Sequence, residues 1–334
     1  DPERERKVLY RLSERAPEDK KLYVKELYET IFSTSKAYQS KFTEKCSGVS
    51  EKLRSIIDKG LPDFPVSGTA ACQGMYGANS GAAAEKIFAI PDVTYFKNFE
   101  GVFSAVDKGL CEYGVLPIEN STAGSVSEVY DLMKKYRFSI VRSVRVRIEH
   151  CVAGLPGATL KGVKKIVSHP QALSQCAEYL KSLGVKTESA ENTATAAKRV
   201  AESGDKTVAA ICSERSAKAY GLEILGRNAE DSEDNYTRFI CITKDLRIYR
   251  GADKISVMTS LAHTPGSLSR LLSGFYALGL NLTKIESRPI AGFEFMFYFD
   301  FEGDVTEESV LTLIAQLEND SDKFVFLGSY KETI

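Results

Sequence analysis

Apolar positions fall in two rhythms along the chain, one helical from the start and one alternating between strand and helix further on. Val8, Leu9 and Leu12 form one stripe, and Leu27, Tyr28, Ile31 and Phe32 form another, which predicts two helices within residues 1–43. The break between them falls over 16–21, where Pro17 stands. A third amphipathic stretch covers 49–59 and stops at Gly60, before Leu61-Pro62-Asp63-Phe64-Pro65. Two prolines so close exclude a regular helix, so this segment reads as a linker.

From about Ser67 short apolar runs alternate with helical stretches. Strands are expected over 69–72, 93–96 and 113–118, with helices over 80–88, 99–108 and 125–136. A second set follows, with strands over 165–168, 185–190 and 208–211 and helices over 172–183, 194–203 and 215–220. A strand over 238–243 closes the second set. Strands separated by helices of this length predict parallel sheets with helix-covered faces, here in two lobes. Ligands of such sheets bind beyond the carboxyl ends of the strands, so a cleft between the lobes is the expected site. The last eighty or so residues change order again. Strands over 254–261, 282–287, 294–301 and 324–328 and helices over 267–278 and 307–317 give the sequence βαββαβ, the ferredoxin-like split motif.

Composition narrows the function classes. With 334 residues the chain has room for two or three domains. A net charge of −1 provides no basic field for nucleic acid or an anionic membrane. No apolar run approaches the roughly 20 residues of a membrane helix. Seven scattered cysteines without CxxC spacing fit reduced thiols better than a disulfide framework or a zinc site. The opening Asp1-Pro2-Glu3-Arg4-Glu5-Arg6 reads as a charged helix start, not a signal peptide, so a cytoplasmic protein is expected. On that expectation the Asn-X-Thr sequences at Asn120, Asn235 and Asn281 are not glycosylation sites.

Three blocks carry candidate chemistry. Gly114-Val115-Leu116-Pro117-Ile118-Glu119-Asn120-Ser121-Thr122-Ala123-Gly124-Ser125 is a strand end opening into a polar loop before a helix. It is either an ordinary capped helix or an anion cradle of backbone N–H groups and hydroxyls. Ser168-His169-Pro170-Gln171-Ala172-Leu173-Ser174-Gln175 repeats the arrangement, and its lone histidine is as readily a cap as an acid. With three histidines in the whole chain, no metal centre is expected. Asn235-Tyr236-Thr237-Arg238-Phe239 places a hydroxyl beside a guanidinium at a strand start, suited to a leaving-group donor and a carboxylate clamp.

Together, in this order, the blocks resemble prephenate dehydratase, whose catalytic domain carries a Thr-Arg-Phe motif in its second lobe. The resemblance covers about residues 67–245. It implies an α/β fold with a two-lobed, periplasmic-binding-protein-like catalytic domain over 66–245. Thr264-Pro265-Gly266-Ser267-Leu268 and Glu286-Ser287-Arg288-Pro289 resemble the phenylalanine-binding segments of the family's ACT domain, here over 250–334. Residues 1–43 resemble the later helices of an AroQ-type chorismate mutase, with Arg4, Glu5, Ser35 and Gln39 at its pocket positions, which makes 1–60 a helical remnant of that domain. The mutase's long first helix is not among these residues, so mutase activity is not expected.

The resemblance implies a carbon–oxygen lyase acting on prephenate without cofactor. In it Thr237 and Arg238 are catalytic, and Asn120, Ser121, Thr122, Gln171, Ser174 and Phe239 bind substrate, with Glu119 and His169 as reserve acids. Phenylalanine would bind Gly266, Ser267, Leu268, Asn281, Leu282, Glu286, Ser287 and Arg288 as a feedback effector, between chains of a homodimer or homotetramer. Arogenate dehydratase is the near alternative, and a non-catalytic amino-acid sensor or solute-binding protein is the distant one.

Overall fold

The computed structural model describes residues 2–40, 48–232, 234–289 and 295–333. The chain forms two compact units, one of Asp1–Asp63 with Ile248–Tyr330 and one of Phe64–Arg247 with Lys331–Ile334. Residues 41–43 and Glu294, included in the expected elements, lie outside the described residues.

The first unit opens with α1 (Pro2–Glu14), α2 (Lys21–Ser40) and α3 (Gly48–Asp58). The break between α1 and α2 falls at Pro17, as the pattern predicts.

The second unit begins with β1 (Ser67–Gln73), α4 (Asn79–Ile87), β2 (Ile90–Phe96), α5 (Phe99–Asp107) and β3 (Tyr113–Asn120). A two-residue β4 (Gly124–Ser125), α6 (Ser127–Tyr136) and β5 (Ser139–Arg147) follow. The chain then enters a second sheet through β6 (Cys151–Gly154), β7 (Lys165–Ser168), α7 (Pro170–Gln175), α8 (Ala177–Leu183), β8 (Lys186–Ser189), α9 (Thr193–Ser203), β9 (Val208–Cys212), α10 (Glu214–Ala219) and β10 (Glu223–Gly226). It returns as β11 (Tyr236–Thr243).

Helix starts here have local causes. Asn98, Asn192 and Ser213 accept the backbone N–H three residues on, capping α5, α9 and α10. Gly184 and Gly204, both at positive φ, end α8 and α9. The single helix expected over 172–183 is two helices, because the backbone leaves helical geometry at Cys176.

The first sheet has the order β5-β11-β3-β1-β2, and the second β10-β6-β9-β7-β8. Both are mixed, which corrects the expectation of parallel sheets. β1 runs parallel to β2 and β3, and β7 to β8 and β9, whereas β11 is antiparallel to both its neighbours and β6 to both of its own. A further correction concerns β11. It does not close the second lobe but lies inside the first sheet, buried along all but its first residue. A strand covered on both faces is apolar without interruption, and Ile240-Cys241-Ile242 fits that description. Lys331, Glu332 and Thr333 pair parallel to β5 on its other side.

The rest of the first unit is β12 (Lys254–Ser260), α11 (Ser267–Ala277), β13 (Leu282–Pro289), β14 (Phe295–Glu302), α12 (Glu308–Asn319) and, as far as Tyr330, the strand β15 (Phe324–Thr333). Its sheet order β13-β14-β12-β15, antiparallel throughout, is that of the expected ferredoxin-like motif. Phe275, Phe299 and Phe301 fill its core. Within this unit α2 packs on α1 and α11, and α3 on α12.

Candidate active site

The carboxyl ends of β1, β3, β7 and β8 all face one cleft of about 500 Å³ between the two sheets of the second unit. Two chain segments cross from one sheet to the other, 148–150 and 227–235. They are bonded to each other: Ile148 N–H donates to Asn235 O at 2.7 Å and Ala229 N–H to His150 O at 2.9 Å. The hinge between the lobes is therefore a hydrogen-bonded pair of segments, and His150 and Asn235 belong to it.

Thr237 and Phe239 line the cleft together with Asn120 and Pro117 of the neighbouring β3. Period-2 alternation sends Arg238 and its partner Glu119 to the opposite face. The structure thus places Arg238 away from the cleft it was expected to line, buried and ion-paired to Glu119. Glu119 likewise lies outside the lining.

Asn120 is the hub. Its Oδ1 accepts Thr122 N–H at 3.1 Å, Ala123 N–H at 2.9 Å and the Thr122 hydroxyl at 2.8 Å. Backbone N–H groups are obligate donors, so they identify this atom as oxygen. Its Nδ2 then faces Asn235 Oδ1 at 2.8 Å, Tyr236 O at 3.1 Å and Thr237 Oγ1 at 3.0 Å. Thr237 must therefore accept from Asn120, which leaves its own proton for the cleft.

The same logic runs the other way. The Thr122 hydroxyl donates to Asn120, so it accepts from Gln175 Nε2 at 2.8 Å, a bond that joins the lobes. Gln175 Oε1 then meets His150 Nε2 at 3.1 Å, so that nitrogen carries hydrogen. Burial pushes the His150 pKa down, against the raising effects of the Gln175 bond and of Glu230. His169 caps α7 by accepting Gln171 N–H at Nδ1, which puts the proton of its neutral form on Nε2; burial lowers its pKa also.

Gln171 lines the cleft as expected. Ser121 instead binds the loop to β11, donating to Asp234 O at 2.7 Å and accepting Tyr236 N–H at 2.9 Å. Thr122 acts through Asn120, and Ser174 is exposed outside the lining, where Gln175 takes its place. Sequence reasoning missed Gln175, His150, Asn192 and Glu191. A helical signal pointed to Gln175, one turn from Gln171, but His150 lies between two strands that the pattern did not reveal.

Among the described residues that line the cleft, none is lysine or arginine, and Glu191 is the one carboxylate. The starts of α4, α5, α7 and α9 line it instead, with Val126 just before α6. Helix N-termini present N–H groups and partial positive charge, so the cleft suits an anion.

In the first unit Gly266, at φ +82, precedes α11, and Ser267 Oγ lies 2.7 Å from Thr264 Oγ1. Leu268 borders a hollow with Leu272 and Tyr276. Asn281 Nδ2 donates to Glu302 Oε2 at 2.9 Å. On β13 the half-buried Glu286 and Arg288 share one face and Ser287 is exposed on the other, while Leu282 precedes a register shift and stands opposite Phe301. Arg4 and Glu5 stand on α1, and Gln39 reaches Ser35 one turn away on α2 at 3.4 Å.

Comparison with known proteins points one way. The family model described as prephenate dehydratase matches residues 70–247. The curated arogenate dehydratase/prephenate dehydratase 1 of Arabidopsis thaliana is 38% identical over 276 residues, covering 77% of this chain and 70% of that protein. The solved structure of prephenate dehydratase in complex with L-Phe from Arthrobacter aurescens superposes with a TM-score of 0.72 at 30% identity, covering 78% of this chain and 89% of that one. A structure described as GqqA, a novel type of quorum quenching acylase, gives 0.73 at 30% identity, covering 79% and 98%.

Proposed function

Because the chain belongs to the prephenate dehydratase family, we propose that its cleft converts prephenate to phenylpyruvate. The ring carboxylate leaves as carbon dioxide, its bonding electrons enter the ring, and the hydroxyl at the opposite end leaves. One proton taken up turns that hydroxyl into water. Aromatisation drives the step, so the protein's task is to hold a dianion and stabilise departing hydroxide.

One observation carries the reading: Asn120 forces the Thr237 hydroxyl to accept, so its proton is held toward the cleft. A preorganised donor aimed at developing oxyanion charge is the largest kind of single contribution an enzyme makes. Threonine is a poor acid, so the hydroxyl stabilises charge, and His169 Nε2–H is the reserve proton source. The convergent helix starts receive the carboxylates, and Phe239 packs at the ring. The Gln175–Thr122 bond supports closure of the two lobes over the substrate.

A second substrate is arogenate, in which an ammonium replaces the ketone. Relatives carrying that name support it, and Glu191 offers a carboxylate in the cleft wall. The βαββαβ sheet is read as an ACT domain, with α1 and α2 as the mutase remnant. Phenylalanine bound around Gly266–Leu268 and Asn281–Arg288, between two chains, would act as feedback inhibitor. The L-Phe complex of the Arthrobacter relative supports that assignment. The test is direct: the purified chain is given prephenate or arogenate, and phenylpyruvate or phenylalanine is measured. Turnover of neither substrate refutes the proposal.

A further inference from the structure

The strand that carries Thr237 has a second face, and a cluster of charges with a buried centre lies on it. Arg238 Nε lies 2.7 Å from Glu119 Oε1, and Arg238 Nη1 lies 3.7 Å from Glu332 Oε1. Glu332 in turn accepts Arg145 Nη2 at 3.1 Å and the Ser143 hydroxyl at 3.4 Å. The side chains of Arg238 and Glu332 are 6% and 10% exposed. In register, Arg238 stands beside Glu119 of β3 on one side and Arg145 of β5 on the other, and Glu332 stands beside Ser143. Two guanidiniums on adjacent strands, Arg238 buried and Arg145 exposed, therefore flank the buried carboxylate of Glu332, with the half-buried Glu119 on the far side of Arg238.

This cluster sits where the register needs holding. Between Arg238 and Phe239 the pairing of β11 with β3 shifts, passing from Glu119 to Pro117 and leaving Ile118 as the extra residue. Such a bulge breaks the ladder and bends the strand. One residue away is the Asn120 bond to Thr237 that orients the hydroxyl. We propose that Glu332 is a positioning residue for the dehydration, holding Arg238 so that β11 keeps its register against β3. Without the Glu332 carboxylate, Arg145 and Arg238 repel across the strand pair, and Arg238 loses the more deeply buried carboxylate beside it. Arg238 then acts on the reaction from behind its strand, through the geometry of Thr237 and Asn120. The inference rests on the dehydratase reading for its kinetic consequence, but its structural consequence stands apart.

The experiment compares Glu332→Gln, Glu332→Asp, Arg238→Lys and the Glu332→Gln/Arg238→Lys double variant in the full chain. Glu332→Gln should lower kcat about tenfold with KM within about twofold of the parent, because substrate is not touched. Glu332→Asp should recover most of the loss. The double variant should fall no further than Arg238→Lys alone, since the two side chains act as one unit. Amide hydrogen exchange provides a readout without substrate. In Glu332→Gln, amides at 119–121 and 236–239 should exchange about tenfold faster, with β7 unchanged. A parent-like kcat, a change confined to KM, fully additive losses, or exchange accelerated evenly through the unit would each overturn the proposal. Should the parent turn over neither prephenate nor arogenate, the dehydratase reading fails, and the exchange pattern alone decides the role of Glu332.

Discussion

Replacing Asn120 by aspartate changes three bonds without changing shape. The Oδ1 side keeps its donors from Thr122 and Ala123. The other side becomes an oxygen facing Asn235 Oδ1, Tyr236 O and Thr237 Oγ1, all of which accepted before. Asn235 can answer by rotating its amide, because its buried Nδ2 makes no hydrogen bond. Tyr236 O cannot, but it keeps the bond from Ser121 N–H at 2.8 Å, so one hydrogen bond is lost there at about 0.5–1.5 kcal/mol. A domain with roughly 5–15 kcal/mol of stability survives that loss. Thr237 behaves differently, since its hydroxyl turns to donate to the new carboxylate and is withdrawn from the cleft. Losing a preorganised oxyanion donor costs on the order of 10²–10³ in kcat. Asn120→Ala leaves the hydroxyl free to rotate, so its kcat should lie above that of Asn120→Asp. Phenylpyruvate release under saturating prephenate, beside a urea melt, measures both effects. An Asn120→Asp enzyme as fast as Asn120→Ala, or within a few-fold of the parent, would refute the assigned direction of the network.

Thr237→Ala should lower kcat about a hundredfold with little change in KM, and Thr237→Ser should retain much of the activity, as steady-state kinetics will show. Gly266→Val should abolish phenylalanine binding in calorimetry, because φ +82 strains a β-branched residue and the new Cβ would meet Arg270 Nη1 at 3.1 Å; undiminished affinity would place the site elsewhere. Stability should also depend on pH through His150 and His169, whose folded pKa values are depressed by burial. Between the ordinary histidine value of about 6.5 and those lower values, the unfolded chain binds more protons than the folded one. This contribution is complete above about 6.5 and is lost as pH falls through that window, and His150→Gln should flatten the slope of urea midpoints against pH.

What the sequence disclosed and what it hid follow from range. The helices with local signals, such as α9 between Asn192 and Gly204, stand within a residue or two of their expected ends. β5 was not foreseen because Arg142, Arg145 and Arg147 interrupt its apolar residues; Arg142 stacks over the Phe64 ring at 4.1 Å, a contact no local pattern contains. β10 has four residues, none fully buried, and leaves almost no periodicity. The Thr-Arg-Phe motif marked the right strand, yet reading its three residues as one cluster overlooked strand alternation, which divides Thr237 and Phe239 from Arg238. That β11 returns to the first sheet depends on a pairing more than a hundred residues long-range, Thr237 with Asn120, and no window reaches so far.

That return has a consequence for how the molecule is made. β3 and β5 lie on either side of β11, so until residue 243 leaves the ribosome each presents an apolar edge with nothing to pair. The second lobe, residues 151–226, is contiguous and can condense as soon as it emerges. Synthesis order and assembly order are thus inverted: the lobe translated first closes last. High contact order of this kind slows folding and prolongs exposure of strand edges. A nascent chain halted before Tyr236 should therefore engage holding chaperones through residues 113–147, and release from them should coincide with the arrival of the strand that bears Thr237.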